Sequence, residues 1–326
     1  MPDATKTKIT AQWKHAGPLM ACEFEPQGRY LVTSSEDYSL QRWELPSGKL
    51  TSWPAHESWI RDIAFLPDGQ TMVTVASDET MIYWSMSGEK PTPLRSVQAH
   101  AGWIRTVSVS PDGKLIATGG NDKVVKLWNA ADGTPAGELA GHESDVYSSM
   151  FHPDGGKLLT GELNGKMLEW DLASGKPART FDAKELHTYN GGQGVHYGGV
   201  RSIALSPDKK LLACSGLYKA SNPLGAVNEP IVVLFDMQTG KKVRSLVAEG
   251  VKGIAWQVEW LKDGSLVAAS GGSGGGFLLF WRADQEKAYH KLKMPNTARD
   301  LDLHPDGLQI ATAHHDRHVR ISTIPG

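Results

Sequence analysis

The stretch HAGWIRTVSVSPDGKLIATGGNDKVVKLW, residues 100–128, contains the unit from which the chain is built. Polar and apolar residues alternate from Trp103 to Ser110 and again from Lys114 to Thr118, with Pro-Asp-Gly between the two runs. A polar Asn121-Asp122 pair then precedes a third run, Val124 to Trp128. Alternation with a period of two residues between Gly, Pro and Asp positions is typical of short antiparallel strands joined by tight turns. The stretch therefore predicts three consecutive strands.

The same unit recurs along the chain, and four residue types keep one spacing within it. A His precedes the first strand, a Thr lies four residues before the Asp of the second turn, and a Trp lies six residues after that Asp. Three later copies lack most of these residues but stay in frame through Pro207, Lys262 and Pro305, which gives seven copies in all. The four matching sets, with Asn for Asp in the last, are His15, Thr33, Asp37 and Trp43; His56, Thr74, Asp78 and Trp84; His100, Thr118, Asp122 and Trp128; and His142, Thr160, Asn164 and Trp170.

These sets resemble the WD-repeat β-propeller family, and the resemblance extends over nearly the whole chain. It implies an all-β fold, a seven-bladed β-propeller with four-stranded antiparallel blades, in which the His, Thr, Asp and Trp side chains of a repeat form a hydrogen-bonded network. A physical argument favours the same arrangement. A Trp brings about 150–250 Å² of surface into a blade, but its indole N–H needs an acceptor when it is buried.

The repeats predict a single domain spanning residues 1–326. A strand at residues 6–13 precedes the first repeat without a partner, and the last repeat has only three strands, so we expect the N-terminal strand to complete the last blade and close the ring. The expected blades are residues 15–55, 56–99, 100–141, 142–183, 196–249, 250–293 and 294–324 plus 6–13, with an insertion at 184–199.

Composition excludes several classes of protein. With 34 basic and 36 acidic residues the net charge is -2, which does not favour binding of nucleic acid through bulk charge. No run of 18 apolar residues and no signal-type N-terminus is present, so no membrane association is expected. Cys22 and Cys214 fall in predicted strands of different blades and are expected to be buried thiols. These features predict a cytoplasmic protein.

Three irregular segments are expected to lie together at one end of the ring. They are an insertion rich in Gly, Tyr and His at 184–199, a loop between the second and third strands of blade 5 at 216–230, and GGSGGG at 271–276 in blade 6. Strand alternation places all three at the end that carries the second turns, which we call the top end. Long loops in compact domains are often functional. The alternative is sequence drift in a tolerant region.

The positions three and five residues after each anchoring His open the innermost strand and should line the top mouth of the channel. The resemblance implies that these positions contact partners, as they do in similar scaffolds. Guanidinium groups bind carboxylates or phosphates in a bidentate manner, so an acidic ligand is expected. The alternative is that each Arg pairs internally, for example with Asp62 or Asp300. The candidate residues at this mouth, called the rim below, are Trp59, Arg61, Trp103, Arg105, Asp145, Tyr147, Arg201, Trp256 and Arg299.

The sequence predicts a non-enzymatic scaffold that binds an acidic peptide or protein surface on its top face. The binding region is expected to cover blades 4 to 6 and the rim, with Tyr189 and Tyr197 as further contacts. The alternative is a small-molecule-binding or hydrolytic propeller with a pocket under the insertion, lined by Tyr189, His196, Tyr197 and Arg201. No nucleophile elbow, Walker loop or CxxC pair occurs, so no catalytic residue, cofactor or metal is expected.

Overall fold

The computed structural model describes residues 2–222 and 227–326. In these residues, seven four-stranded antiparallel sheets surround a central channel, and a two-stranded sheet lies between the fourth and the fifth in chain order. The predicted fold, a seven-bladed β-propeller, is therefore confirmed. No helix in the described part of the chain has the length and apolar character needed to cross a bilayer.

The seven larger sheets are called blades 1 to 7, and their strands are given from the channel outward. Blades 1 to 3 contain β2 (Leu19–Phe24), β3 (Tyr30–Ser35), β4 (Ser39–Glu44) and β5 (Lys49–Pro54); β6 (Ile60–Phe65), β7 (Thr71–Ala76), β8 (Thr80–Ser85) and β9 (Thr92–Gln98); and β10 (Ile104–Val109), β11 (Leu115–Gly120), β12 (Val124–Asn129) and β13 (Pro135–Ala140). Blade 4 contains β14 (Val146–Phe151), β15 (Lys157–Glu162), β16 (Lys166–Asp171) and β17 (Lys176–Asp182), and the two-stranded sheet contains β18 (His187–Asn190) and β19 (Val195–Gly198). Blades 5 to 7 contain β20 (Ser202–Leu205), β21 (Leu211–Asn222), β22 (Val227–Asp236) and β23 (Lys242–Val247); β24 (Ile254–Trp260), β25 (Ser265–Gly271), β26 (Gly276–Arg282) and β27 (His290–Met294); and β28 (Ala298–Leu303), β29 (Gln309–His314) and β30 (His318–Thr323), followed by β1 (Lys8–Lys14).

The turns within a blade show why its sequence forms separate strands. In blade 3 the first turn places Gly113 at a φ of 69°, where a side chain would be strained. The Asp112 carboxylate accepts a hydrogen bond from the Lys114 N–H at 3.1 Å and so fixes the turn. At the top end, β11 approaches the innermost strand so closely that a Cβ on Gly120 would collide with the Trp103 carbonyl oxygen.

The N-terminal strand closes the ring. β1 pairs antiparallel with β30, from Lys8 opposite Thr323 to Lys14 opposite His318. The Asp3 N–H donates to the Pro325 carbonyl at 3.0 Å, and the Trp13 ring stacks on Trp43 of blade 1 at 5.7 Å. The last blade is thus built from both ends of the chain, as the sequence predicts.

The hydrophobic core is divided among the contacts between neighbouring blades. Each of seven buried clusters draws its residues from two adjacent blades. At the closing contact, Leu19, Phe24 and Trp43 of blade 1 meet Ala311 and Val319 of blade 7. Burying one such large side chain contributes about 1.5–3 kcal/mol. Every blade therefore depends on both of its neighbours.

The predicted four-residue network is complete in blades 2 and 3. In blade 3 the Trp128 Nε1 donates to Thr118 Oγ1 at 2.9 Å, and Thr118 Oγ1 lies 2.7 Å from His100 Nε2. His100 Nδ1 in turn lies 2.9 Å from the Asp122 carboxylate. Blade 2 has the same contacts among the matching residues. The network joins the second turn, the second strand and the buried indole.

Blades 1 and 4 depart from this network. In blade 4 the partner of His142 Nδ1 is Glu162, at 2.8 Å, and not Asn164. An amide at position 164 carries no negative charge, whereas Glu162 ends β15 beside the imidazole. In blade 1 Trp43 still donates to Thr33 at 3.0 Å, but Thr33 donates to Gln41 instead of meeting His15. The His15 Nδ1 lies 4.0 Å from the Asp37 carboxylate and accepts a hydrogen bond from the Gly17 N–H.

In blades 6 and 7 the Trp and Asp of the repeat have other partners. Trp281 of blade 6 donates its indole N–H to the Val247 carbonyl at 2.9 Å, across the contact with blade 5. In blade 7 Asp316 forms a bidentate ion pair with Arg320, at 2.9 and 2.6 Å. The nearby His314 is fully buried while His315 is exposed, so the two rings lie on different sides.

The insertion between blades 4 and 5 is a short β-hairpin. A 3-10 turn at Lys184–Leu186 places Leu186 in the core between the two blades, and β18 and β19 follow as the hairpin. His196, which falls on the repeat spacing, does not serve as an anchor here. It lies on the exposed hairpin, where its Nδ1 is 2.9 Å from His187 Nε2.

Two segments predicted as loops are more regular than their composition indicates. Much of 216–230 continues the ladder of β21 and β22, with Leu217 opposite Pro230 and Tyr218 opposite Glu229, while residues 223–226 lie outside the described part. The Gly-rich turn at 271–276 packs against its neighbours. A Cβ on Gly274 would lie 2.8 Å from the Lys252 carbonyl oxygen, and one on Gly276 would collide with that of Asn296. Glycine is therefore required at these positions because the backbone packs closely against its neighbours.

Deleting residues 1–13 should destabilise the whole ring. The deletion removes the outer strand of blade 7 and its contact with blade 1, so we expect the melting temperature to fall by more than about 5 °C. Deleting residues 1 and 2 alone should leave it unchanged, because β1 begins at Lys8. Thermal unfolding followed by circular dichroism measures both, and an unaltered melting temperature for the longer deletion would contradict this role.

Thr118→Val should destabilise blade 3 by about 1–3 kcal/mol, because it leaves the buried Trp128 N–H without an acceptor while preserving side-chain shape. Thr92→Val is a matched control, since Thr92 is exposed at the start of β9, and should change stability by less than about 0.5 kcal/mol. Urea unfolding gives both free energies. Equal values for the two variants would show that the network contributes nothing measurable.

Candidate partner-binding site at the channel mouth

A cavity of about 450 Å³ opens at the top end of the channel, and all seven innermost strands contribute to its wall. Seven of the nine sequence-predicted rim residues line it, whereas Trp103 and Asp145 are not among its lining residues. The charged and aromatic side chains that line it are Glu23, Glu36, Trp59, Arg61, Asp62, Arg105, Tyr147, Arg201, Trp256, Arg299 and Asp300.

Guanidinium groups and aromatic rings alternate around this cavity. The Arg61 Cζ lies 5.0 Å from the ring centroids of both Trp59 and Trp103. The Arg105 Cζ lies 5.4 Å from Trp103 and 4.4 Å from Tyr147. These distances are within the range of cation–π contacts, each of which contributes about 0.5–1 kcal/mol at exposed sites. Each of these two arginines therefore stands between two rings.

The alternation continues into blades 5 and 6. The Arg201 Cζ lies 4.5 Å from the Tyr147 ring and 5.2 Å from Trp256. Trp59 and Trp103 are 40% and 42% exposed, so the blade 2 and 3 end of the row faces solvent. The whole row, called the Arg–aromatic ladder below, consists of Trp59, Arg61, Trp103, Arg105, Tyr147, Arg201 and Trp256.

Two arginines of the ladder are also fixed along one edge. The Arg61 Nε donates to the Ser77 hydroxyl at 2.8 Å, and the Arg105 Nε donates to the Asn121 Oδ1 at 2.6 Å. Ser77 and Asn121 occupy the same position in their blades, directly before the turn Asp. Sequence reasoning missed these two residues, although their common spacing from Arg61 and Arg105 could have indicated them.

Carboxylates neutralise only part of the charge on the rim. Arg299 forms an ion pair with Glu36 of blade 1 at 2.5 Å, and Arg105 lies 3.7 Å from Asp145. Within residues 2–222 and 227–326, Arg61 and Arg201 have no carboxylate at ion-pair distance. Burial, and then repulsion from Arg105, lowers the pKa of Arg61 to about 10. The expected internal pairing thus occurs at Arg299 and Arg105, and not through Asp62 or Asp300.

Asp62 and Asp300 bond to the backbone of the next blade instead. An innermost strand has one edge without a neighbouring strand, and its N–H groups need acceptors. The Asp62 carboxyl accepts from the Val107 N–H at 2.8 Å, and Asp300 accepts from the Cys22 N–H at 2.8 Å. Asp302 accepts from Phe24 in the same way, at 2.6 Å. These side chains connect neighbouring inner strands.

Burial raises the pKa of the carboxyl groups below the rim. It raises the pKa of Asp62 to about 7 and that of Glu259 to about 8. Burial also raises the pKa of Asp300, Asp302 and Glu23, and repulsion among the carboxyls adds to the effect for Asp300 and Glu23. Near neutral pH the channel below the rim therefore holds less negative charge than its composition indicates.

The residues predicted from the insertion lie apart from this cavity. Arg201 lines it, whereas Tyr189, His196 and Tyr197 belong to the hairpin and are not among its lining residues. Tyr189 is 54% exposed and packs on the His196 ring at 4.6 Å. The cavity at the channel mouth therefore does not bring these three residues together with Arg201.

The architecture and the mouth define a β-propeller with a basic, aromatic channel entrance. A family model described as "WD domain, G-beta repeat" matches residues 7–44, 47–85, 91–129 and 133–171. Together with the seven four-stranded sheets, these matches show that the chain belongs to the WD-repeat β-propeller family. Proteins of this family generally bind other proteins.

Similarity to individual curated proteins is local. The chain is 30% identical over 102 residues to Protein HIR1 of Kluyveromyces lactis, which is 26% of this chain and 12% of that protein. It is 30% identical over 76 residues to Nuclear distribution protein nudF 2 of Talaromyces marneffei, 23% of this chain and 16% of that protein. It is 30% identical over 71 residues to human apoptotic protease-activating factor 1, 22% of this chain and 6% of that protein. The chain covers under a fifth of each relative.

Asp62→Asn should be more stabilising, relative to the wild type, at pH 8 than at pH 5. The folded state holds the Asp62 proton up to a pKa of about 7, above the unfolded value of about 4. The stability contributed by Asp62 is therefore complete below pH 4 and is lost as pH rises through 7. Asparagine does not titrate and keeps an acceptor oxygen, so its advantage should grow by about 2–3 kcal/mol between pH 5 and 8.

Asp112→Asn serves as the control for this measurement. Hydrogen bonding from the Ser110 hydroxyl lowers the pKa of Asp112, so this group does not gain a proton on folding and the effect of its substitution should not change between pH 5 and 8. Urea unfolding at both pH values gives the four differences. Parallel pH dependence of Asp62→Asn and the wild type would rule out the proposed protonation of Asp62.

Proposed function

We propose that this protein is a non-enzymatic scaffold that binds an acidic segment of another protein on its top face. The observation that carries the proposal is the Arg–aromatic ladder, in which guanidinium groups are held in place without being fully neutralised. Aromatic and Arg side chains are the residue types enriched at the centres of protein interfaces. Propellers of this family generally serve as interaction scaffolds, which supports the same role here.

The proposed contact surface consists of the rim, including Arg299 and Asp145, and extends toward blades 4 to 6. Tyr189 and Tyr197 on the hairpin are proposed as outer contacts. Tyr189 is among the most exposed aromatic side chains of the described residues, and exposed aromatic groups beside a charged centre favour a protein partner. The charge of the rim favours an acidic partner.

A small-molecule ligand is the second candidate, and the volume of the mouth supports it. Ligand cavities commonly measure about 300–1,000 Å³, and the mouth measures about 450 Å³. We propose this function for the mouth itself and not for the hairpin. A thermal-shift screen with anionic metabolites and metal ions would distinguish it, because a scaffold specific for proteins gives no strong shift.

We also infer a cytoplasmic location. The two cysteines are buried in different blades and unpaired, as is usual in a reducing compartment. Microscopy of the protein fused to a fluorescent tag at either end tests this inference, and exclusive signal elsewhere in the cell would contradict it.

The double variant Arg105→Ala, Arg201→Ala should lose its partners while remaining folded. Removing two rim charges should weaken binding by about 2–5 kcal/mol, the loss expected when one side of a buried charged contact is removed. Affinity purification followed by mass spectrometry compares the variant with the wild type. Arg29→Ala is the control, because Arg29 is exposed at the opposite end and pairs with Glu25.

Thermal unfolding must first show that the double variant folds. Loss of specific partners from the double variant, but not from Arg29→Ala, supports recognition at the mouth. A folded double variant that captures every partner of the wild type would remove the proposal.

A further inference from the structure

We propose that the channel mouth is a receptor for a phosphomonoester group, held by Arg61, Arg105 and Arg201. The inference rests on the proposed function, since it names the chemical group that the top face would recognise. The same chemistry occurs on a phosphorylated side chain of a partner and on a free phosphorylated metabolite. The experiment below separates these two sources.

The first argument is the arrangement of hydrogen-bond donors. Ser77 and Asn121 bind the Nε edges of Arg61 and Arg105, and aromatic rings cover the guanidinium faces. Fixing the Nε edge and the faces leaves the Nη groups as the remaining donors of these side chains, with only the Arg105 Nη2 near a carboxylate, 3.7 Å from Asp145. Both arginines line the cavity. Planar groups held in this way bind phosphate oxygens with little loss of conformational entropy.

The second argument is the amount of charge. Arg61 and Arg201 have no carboxylate at ion-pair distance in the described residues, and Arg105 has only Asp145 at 3.7 Å. A carboxylate would supply one negative charge, whereas a phosphomonoester carries about -1.5 to -2 near pH 7 and has three acceptor oxygens. The dianion matches two unneutralised guanidinium groups and a third that is partly neutralised. The channel carboxyls below bond to backbone N–H groups and do not compete for these arginines.

The third argument comes from two buried donors beside Arg105. The Arg201 Nε and the Trp256 Nε1 are inaccessible to solvent, and neither atom has a hydrogen-bond partner among the described residues. Buried donors without an acceptor are uncommon in folded proteins. Both side chains line the mouth, so an anion bound there would lie beside both of them. A ligand oxygen at the mouth would satisfy these two donors, which no contact among the described residues satisfies.

The test is isothermal titration calorimetry at pH 7.5 with probes that differ in one group. The peptides are acetyl-Gly-phosphoSer-Gly-amide and its Asp and Ser counterparts, and the small molecules are phenyl phosphate and benzoate. We expect each phosphate to bind at least about tenfold more tightly than its carboxylate counterpart. Binding should weaken below pH 6, where the phosphate loses its second charge.

Variants connect this binding to the ladder. Arg61→Ala and Arg201→Ala should each weaken phosphate binding by about tenfold or more. Ser77→Ala retains Arg61 but releases its Nε edge, so a smaller loss of about threefold is expected for this positioning residue. Arg29→Ala should bind as the wild type does. Equal affinity for the phosphate and carboxylate probes, or phosphate binding that is unaffected in both arginine variants, would overturn the proposal.

The source of the phosphate follows from the same titrations. Tighter binding of the phosphopeptide than of phenyl phosphate assigns the site to a phosphorylated partner, and the reverse assigns it to a metabolite. Partner capture from a phosphatase-treated lysate separates this inference from the proposed function. If capture persists after treatment and still requires Arg105 and Arg201, the scaffold role stands and recognition of a phosphorylated partner is refuted.

Discussion

The structure depends on the need to cover both faces of every blade. Each four-stranded sheet is apolar on two sides, and the buried clusters form only where two blades meet. An open row of blades would leave two apolar faces in water, with a cost of about 25 cal/mol for each Å² exposed. Pairing of β1 with β30 completes blade 7, and the contact of blade 7 with blade 1 then covers both apolar faces. The channel is a consequence of this closure.

Closure also creates the chemical environment of the channel. Seven inner strands surround it, and each has an edge without a strand partner. Side-chain carboxyls such as Asp62 and Asp302 accept hydrogen bonds from these edges, and burial raises the pKa of both. Groups that appear in the sequence as negative charges are therefore partly protonated in the folded protein. The positive charge at the mouth is not cancelled by the acidic residues beneath it.

The repeat spacing in the sequence was sufficient to predict the seven blades, the closing strand and the position of the rim, because one spacing repeated around a ring determines which positions meet. The spacing could not predict which hydrogen-bond partner each side chain has. Glu162 replaces Asn164 beside His142, and Gln41 binds Thr33 in blade 1. Each pairing depends on the distances between side chains within one blade. Likewise, the Pro, Gly and Asn residues of 216–230 indicated a loop, but the hydrogen bonds of β21 and β22 continue through much of it.

The alternation of arginines and aromatic rings was the least predictable feature, since it depends on distances between neighbouring blades. It also explains how the mouth remains positively charged. A carboxylate that fixed Arg61 would neutralise it, as Glu36 does for Arg299. Aromatic faces and a neutral hydroxyl fix the guanidinium group without supplying a full negative charge. The ladder thus combines two properties that usually oppose each other, a rigid arginine and an uncompensated charge. Binding of an anion requires both.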